Sequence, residues 1–143
     1  MNIDDIHSYL RQVKHVNLAT VEGNKPRVRT MNFVEHNKKY WMVSYGKDAK
    51  VHQLQENPEF EFCVTISEII DDRESFGSIR VRGRAKIIDD LSIKEEIRTS
   101  VWFFDRFFTG VEDPNFVPIQ LNISKIVSQC PKDKRYYQFD MKD

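Results

Sequence analysis

The sequence predicts a mainly β protein, an antiparallel barrel of six or seven strands, closed or nearly so, with short flanking helices. Three observations lead there. Several stretches alternate apolar and polar residues with the period of two that a half-buried strand requires. Gly, Asn, Asp and Pro fall between those stretches at turn-like places. The chain has only 143 residues, and so many strands in a small chain hide their edges best by closing on themselves. Hydrophobic residues make up 40% with 10 Phe, against 5 Gly and 5 Pro, which supports a packed core rather than disorder. A single domain over residues 1–143 is expected from that length.

Ile3, Ile6, Leu10 and Val13 draw one apolar stripe on a short first helix. Residues 15–21 then alternate, with Val16, Leu18 and Thr20 opposite Asn17 and Ala19, and Glu22-Gly23-Asn24-Lys25-Pro26 supplies a turn. Residues 27–35 read as a second strand, His36-Asn37-Lys38-Lys39 as a polar break and residues 40–45 as a third strand, together an antiparallel meander. Asp48 is a good N-cap, Val51 and Leu54 share a helical face, and Asn57-Pro58 stops the helix.

Residues 59–66 place Phe60, Phe62, Val64 and Ile66 on one side of a strand, and residues 67–76 read as an acidic loop. Residues 77–89 set Ile79, Val81, Ala85 and Ile87 opposite Arg80, Arg82, Arg84 and Lys86, with Gly83 marking a bend or bulge. Ser92-Ile93-Lys94-Glu95 fits a capping box. Ile93, Ile97, Val101, Phe104 and Phe108 extend that helix, broken near Trp102. Residues 110–114 form a loop, 116–128 a strand through Val117, Ile119, Leu121 and Ile123, and 135–140 a last short strand.

Lys plus Arg number 22 and Asp plus Glu 22, so no net charge draws the chain to nucleic acid or an anionic membrane. Arg80, Arg82, Arg84 and Lys86 on one strand face are the one nucleic-acid-like feature, and a solvated face that blunts edge pairing explains them more economically. The longest apolar runs, Tyr40-Trp41-Met42-Val43 and Val101-Trp102-Phe103-Phe104, fall far short of the roughly 20 residues that cross a bilayer. The acidic start, Met1-Asn2-Ile3-Asp4-Asp5, lacks the pattern of a secretory signal, so a cytoplasmic location is expected. Cys63 and Cys130 form no CxxC, and two reduced, mostly buried thiols are the economical reading. No nucleophile elbow, zinc-protease helix or phosphate-cradling glycine loop occurs, and the histidines lack metal-ligand spacing. No catalytic residue and no metal site is therefore assigned.

The chemistry-bearing signal is a set of anion-binding side chains. Arg27 and Arg29 share one face of the second strand. A tight hairpin at Asn37-Lys38 would set Arg29 near Gly46 and Ser44 near Met31. Lys47 and Lys50 follow at the start of a helix, whose dipole also favours an anion. Such a group suits a phosphate, while spacing alone leaves simply solvated charges as the alternative.

The run Lys50-Val51-His52-Gln53-Leu54-Gln55-Glu56-Asn57-Pro58, preceded by a strand ending at Ser44 and by Arg27-Val28-Arg29-Thr30-Met31, resembles the FMN-binding core of the pyridoxamine 5'-phosphate oxidase-related split-barrel family. Val16-Asn17-Leu18-Ala19-Thr20-Val21-Glu22-Gly23 and Gly77-Ser78-Ile79-Arg80-Val81-Arg82-Gly83-Arg84-Ala85 are similar to that family too, in its order. Residues 102–108, Gly110-Val111-Glu112-Asp113-Pro114-Asn115-Phe116 and Tyr137-Gln138-Phe139-Asp140 resemble its general stress protein branch.

The resemblance implies a split-barrel homodimer with two FMN molecules at the subunit interface. It implies Arg27 or Arg29, with Lys50, around the phosphate and Ser44 as a hydrogen-bond partner. Val28, Thr30 and Val43 would lie along the flavin, Ser78 would approach the ring, and aromatics near Trp102 would wall it from the other subunit, with a structural contact between helix and barrel as the alternative. Two positions depart from the oxidase proper: Asn32 stands where that enzyme has a lysine, and Ala49 where it has an arginine. The oxidase proper also has a carboxy-terminal substrate-binding extension, whereas this sequence ends soon after Tyr136-Tyr137-Gln138-Phe139, which argues against oxidation of pyridoxamine phosphate itself.

The function expected is an FMN-dependent oxidoreductase taking electrons from a small-molecule donor such as a reduced nicotinamide. The alternative is a binding protein without turnover, for flavin or for haem, with His7, His15, His36 and His52 as the available haem ligands.

Overall fold

The computed structural model describes residues 1–141. Helix α1 (Ile3–Arg11) starts at a capping box in which Asn2 and Asp5 exchange side-chain-to-backbone bonds, and it buries Ile6 and Leu10. Strands β1 (His15–Glu22) and β2 (Lys25–Asn32) pair in unbroken antiparallel register from His15 opposite Asn32 to Glu22 opposite Lys25.

The second strand expected over residues 27–35 is two strands. The chain leaves the β1 ladder at Phe33, whose N–H donates to the Lys14 carbonyl, and continues as β3 (Val34–His36). This third strand forms a hairpin with β4 (Lys39–Tyr45) around Asn37 and Lys38, both at positive φ. The ladder has the expected register but stops at Val34 opposite Trp41, and beyond it Asn32 meets Val43 only through its side chain. The β1–β2 register places Met31 in the barrel interior.

After α2 (Ala49–Glu56), capped by Asp48, come β5 (Glu59–Ile70) and β6 (Arg73–Ile87). Their ladder runs to Ile70 opposite Arg73, so residues 67–76 are a hairpin rather than a loop. Asp71 and Asp72, with φ of 49° and 62°, make the two-residue turn whose left-handed geometry matches strand twist. The acidic composition masked the period-two pattern.

Gly83 marks a bulge, as expected. The register between β6 and β7 (Phe116–Gln129) shifts there, with Arg82 opposite Lys125 and Gly83 opposite Ile123. Helix α3 (Leu91–Arg98) is capped by Asp90, whose carboxylate accepts from the N–H groups of Ser92 and Ile93, so Ser92 is not the cap. The break expected near Trp102 separates α3 from α4 (Phe104–Phe107), and β8 (Tyr136–Asp140) pairs the end of β7.

The eight strands follow the order β2-β1-β5-β6-β7-β4-β3, with β8 beside β7. The two outermost strands are consecutive in the chain and meet at Phe33, so the sheet curls into a split barrel. Leu18, Phe33, Met42, Phe62, Ile79 and Ile119 fill its interior. A second core lies on the outer side of β4, where Trp41 and Val43 pack with Ile97, Phe104, Phe108 and Phe116.

Among the described residues no helix is long and apolar enough to cross a membrane. Arg82 and Arg84 pair across the β5–β6 ladder with Glu61 and Glu59, at 3.3 and 3.4 Å, so half of the basic row is neutralised within the sheet. Cys63 is half-buried and Cys130 buried, both as free thiols.

Candidate functional site

Strand alternation turns Arg27 and Arg29 towards the same side of β2 as Thr20 on β1, at the barrel end covered by α2. Arg29 is half-buried there. Its Nη1 donates to Thr20 Oγ1 at 2.6 Å and its Nη2 to Gln53 Oε1 at 2.8 Å. Thr20 donates to the same Gln53 oxygen at 2.8 Å, and Gln53 Nε2 donates to Glu22 at 3.1 Å. Arg27 lies further out and donates to Glu22 at 3.2 Å. One network thus ties the two arginines to α2.

Burial and the neighbouring Arg27 charge lower the Arg29 pKa, and Asp48 opposes the shift. Among the four cations expected at the site, each of the others has a carboxylate within ion-pair reach. Arg27 has Glu22, Lys47 has Asp89 at 3.8 Å, and Lys50 has Asp48. Arg29 has none at that distance among the described residues. A partly desolvated guanidinium bonded only to neutral oxygens retains strong demand for an anion.

Ser44 is buried at the end of β4 and donates to the Gly46 carbonyl at 2.7 Å. Gly46, at φ 75°, turns the chain from β4 towards Asp48 and α2, bringing Lys47 and Lys50 to the same barrel end.

Val28 and Thr30 alternate to the outer face of β2. Val28 is 70% exposed, and Thr30 donates to Asn17 on the neighbouring strand at 3.2 Å. Asn32, next on that face, uses its carboxamide to donate to the Val43 carbonyl and accept from the Val43 N–H, at 2.8 and 2.9 Å. Val43 is also in contact with the second core, and beside it opens a pocket of about 340 Å3 lined by His15, Tyr45, Trp102, Arg106 and Phe107 among others.

Trp102 therefore stands beside Val43 of its own chain, with its indole N–H on the Phe33 carbonyl at 3.3 Å. Ser78 does not join the group within one chain. It sits on β6, three strands from β2, with its backbone carbonyl accepting from Ser128 at 2.9 Å.

The matching family model, pyridoxamine 5'-phosphate oxidase, covers residues 3–130. The chain belongs to the pyridoxamine 5'-phosphate oxidase family. Within it, the chain is similar to general stress protein 26 of Bacillus subtilis, with 29% identity over 127 residues, covering 85% of this chain and 86% of that protein. A solved NimC/NimA family protein from Clostridium acetobutylicum superposes with a TM-score of 0.76 at 22% identity, covering 96% of this chain and 91% of the other. A heme binding protein from Mycobacterium smegmatis superposes with a TM-score of 0.74 at 9% identity, over 94% of this chain and 55% of the other. At such identities the two superpositions establish the shared fold of this family member.

Thr20 and Gln53 are the site residues that sequence reasoning missed. Thr20 stands on the apolar side of β1 after Val16 and Leu18, and Gln53 between Val51 and Leu54 of α2. A polar residue at a core position signals a buried hydrogen-bonding partner, here Arg29. His15 was named only as an available haem ligand and Arg106 gave no pattern, because the pocket they line together forms only on folding.

Proposed function

We propose that this family member is an FMN-dependent oxidoreductase acting as a homodimer, with the flavin phosphate held by Arg29 and Lys50. The supporting observation is the Arg29 guanidinium, partly desolvated and without a carboxylate partner among the described residues. The donor set suits a phosphate monoester: a guanidinium, an ammonium and the amino-terminal end of α2. Lys50 would exchange Asp48 for the phosphate, while Lys47 and Arg27 keep their outer pairs and add field.

FMN, when bound, supplies the redox chemistry. The chain's own residues bind and orient it. Arg29 and Lys50 anchor one end, and the outer backbone of β2 at Val28 and Thr30 offers a flat, exposed ledge for the ring. Asn32 and Val43 fix that ledge to β4, and Trp102 with Phe107 excludes water beside it. Ser78 reaches the ring from a second copy, since its own strand lies across the sheet. Exposure of Val28 fits a surface that another subunit covers. Electrons would come from a reduced nicotinamide or a small organic donor.

The test is the visible absorption spectrum of purified protein after FMN addition and removal of unbound flavin, followed by addition of reduced nicotinamide without oxygen. A retained flavin spectrum that bleaches supports the reading. A protein that refuses FMN and retains haem instead would replace it, with His15 of the aromatic pocket as the histidine to test first.

A further inference from the structure

The pocket beside Val43 has a charge pattern that the neutral chain as a whole does not have. Tyr45, Trp102 and Phe107 give it aromatic walls, all three exposed to a large extent. The Trp102 ring is held by its bond to the Phe33 carbonyl and by the His15 ring edge-on at 5.7 Å. The Lys14 ammonium sits 5.1 Å from the same ring's centre. Arg106 lines the pocket with its guanidinium 5.4 Å from the Phe107 ring centre.

Among the described residues no Asp or Glu lines this pocket. Neighbouring Asp105 faces Arg98 at 3.5 Å. Among the described residues neither Lys14 nor Arg106 has a carboxylate within ion-pair distance. Flat apolar walls combined with unpaired cations select for a flat molecule of negative charge. The volume, about 340 Å3, falls at the small end of the roughly 300–1,000 Å3 typical of small-molecule sites.

We propose that this pocket binds a planar aromatic carboxylate, its ring against Trp102 and Phe107 and its carboxylate on Arg106. That such a compound is the redox partner rests on the flavin reading above; the binding itself does not.

The experiment is calorimetric titration of the full chain with 2-naphthoate and with its neutral isostere 2-naphthamide, each without and with FMN. The acid binds about tenfold tighter than the amide, the effect of one charge-assisted contact in a half-open site. Arg106→Gln removes that preference, and Arg106→Lys keeps part of it. Preference for the acid in FMN-free protein supports the proposal even if FMN itself fails to bind, an outcome that would sink only the flavin reading. Equal affinity for acid and amide, a preference unchanged in Arg106→Gln, or competitive displacement of naphthoate by FMN overturns it.

Discussion

The Asn32 carboxamide occupies both backbone hydrogen-bonding groups of Val43, standing in for a ladder pair where β2 and β4 have none. It joins the two ends of the sheet just where the chain crosses at Phe33. The position that departs from the oxidase proper thus has a structural task, closing the barrel beside the proposed ring ledge.

Asn32→Ala leaves the Val43 N–H and C=O without that partner in a buried setting, a loss of about 1–3 kcal/mol. Urea unfolding reads it, and faster exchange of the Val43 amide localises it. Asn32→Asp keeps the acceptor for the Val43 N–H but loses the donor, and falls between the two.

Gly83→Ala places a methyl group 2.0 Å from the Asn122 carbonyl oxygen. Backbone blocks it, so the bulge must reorganise, and a cost of about 3 kcal/mol or more is expected for a clash that side-chain movement cannot relieve. A thermal midpoint unchanged from the parent protein would show that the β6–β7 ladder shifts freely there.

Most of the fold was legible because strands with one buried face write their period into the sequence. β1, the first half of β5, and β7 show this through Val16 and Leu18, Phe60 and Phe62, Val117 and Ile119. The β5–β6 hairpin was not legible, since its tip is exposed on both faces and the charges of Asp71, Asp72 and Glu74 resemble a loop. The split of the second strand was hidden for a different reason. Phe33 is apolar and continues the run, while the change of partner from β1 to β4 there is made by contacts that only folding creates. At the site, the cations were legible as residue types but their pairings were not, because Glu22, Asp89 and Asp48 neutralise three of them through contacts that only folding creates.

Those pairings make the two arginines unequal. Arg29→Ala weakens FMN binding by about 1.5–3 kcal/mol, the worth of charge-assisted bonds at a partly desolvated site. Arg27→Ala, exposed and already paired, has a markedly smaller effect. Flavin fluorescence quenching measures both, and the reverse order would move the phosphate outward along β2.

Stability is expected to decline on both sides of a neutral plateau because of groups buried where α1 meets the barrel. The Tyr40 hydroxyl and His7 Nδ1 are hydrogen-bonded, with the rings stacked at 5.7 Å. Burial pushes the Tyr40 pKa up to about 12 from an ordinary 10.0. Between those values the unfolded chain loses the proton first, so stability falls as pH rises from 10 to 12. Burial, with Lys38 nearby, lowers the His7 pKa below 6.5, so the unfolded chain gains that proton first and stability falls as pH drops through 6.5. Thermal midpoints across pH show both arms, and Tyr40→Phe reduces the alkaline one, the rest coming from Tyr9, whose pKa burial and the Glu68 hydrogen bond also raise.

The central claim is that the end of the barrel at Arg29 and Lys50 takes the phosphate of FMN at a subunit interface. Sedimentation of the FMN-loaded protein, followed at a flavin wavelength, tests it most directly. One flavin per chain, moving with a species of twice the chain mass, is the predicted result. A monomer that binds no flavin at saturating FMN would contradict the account.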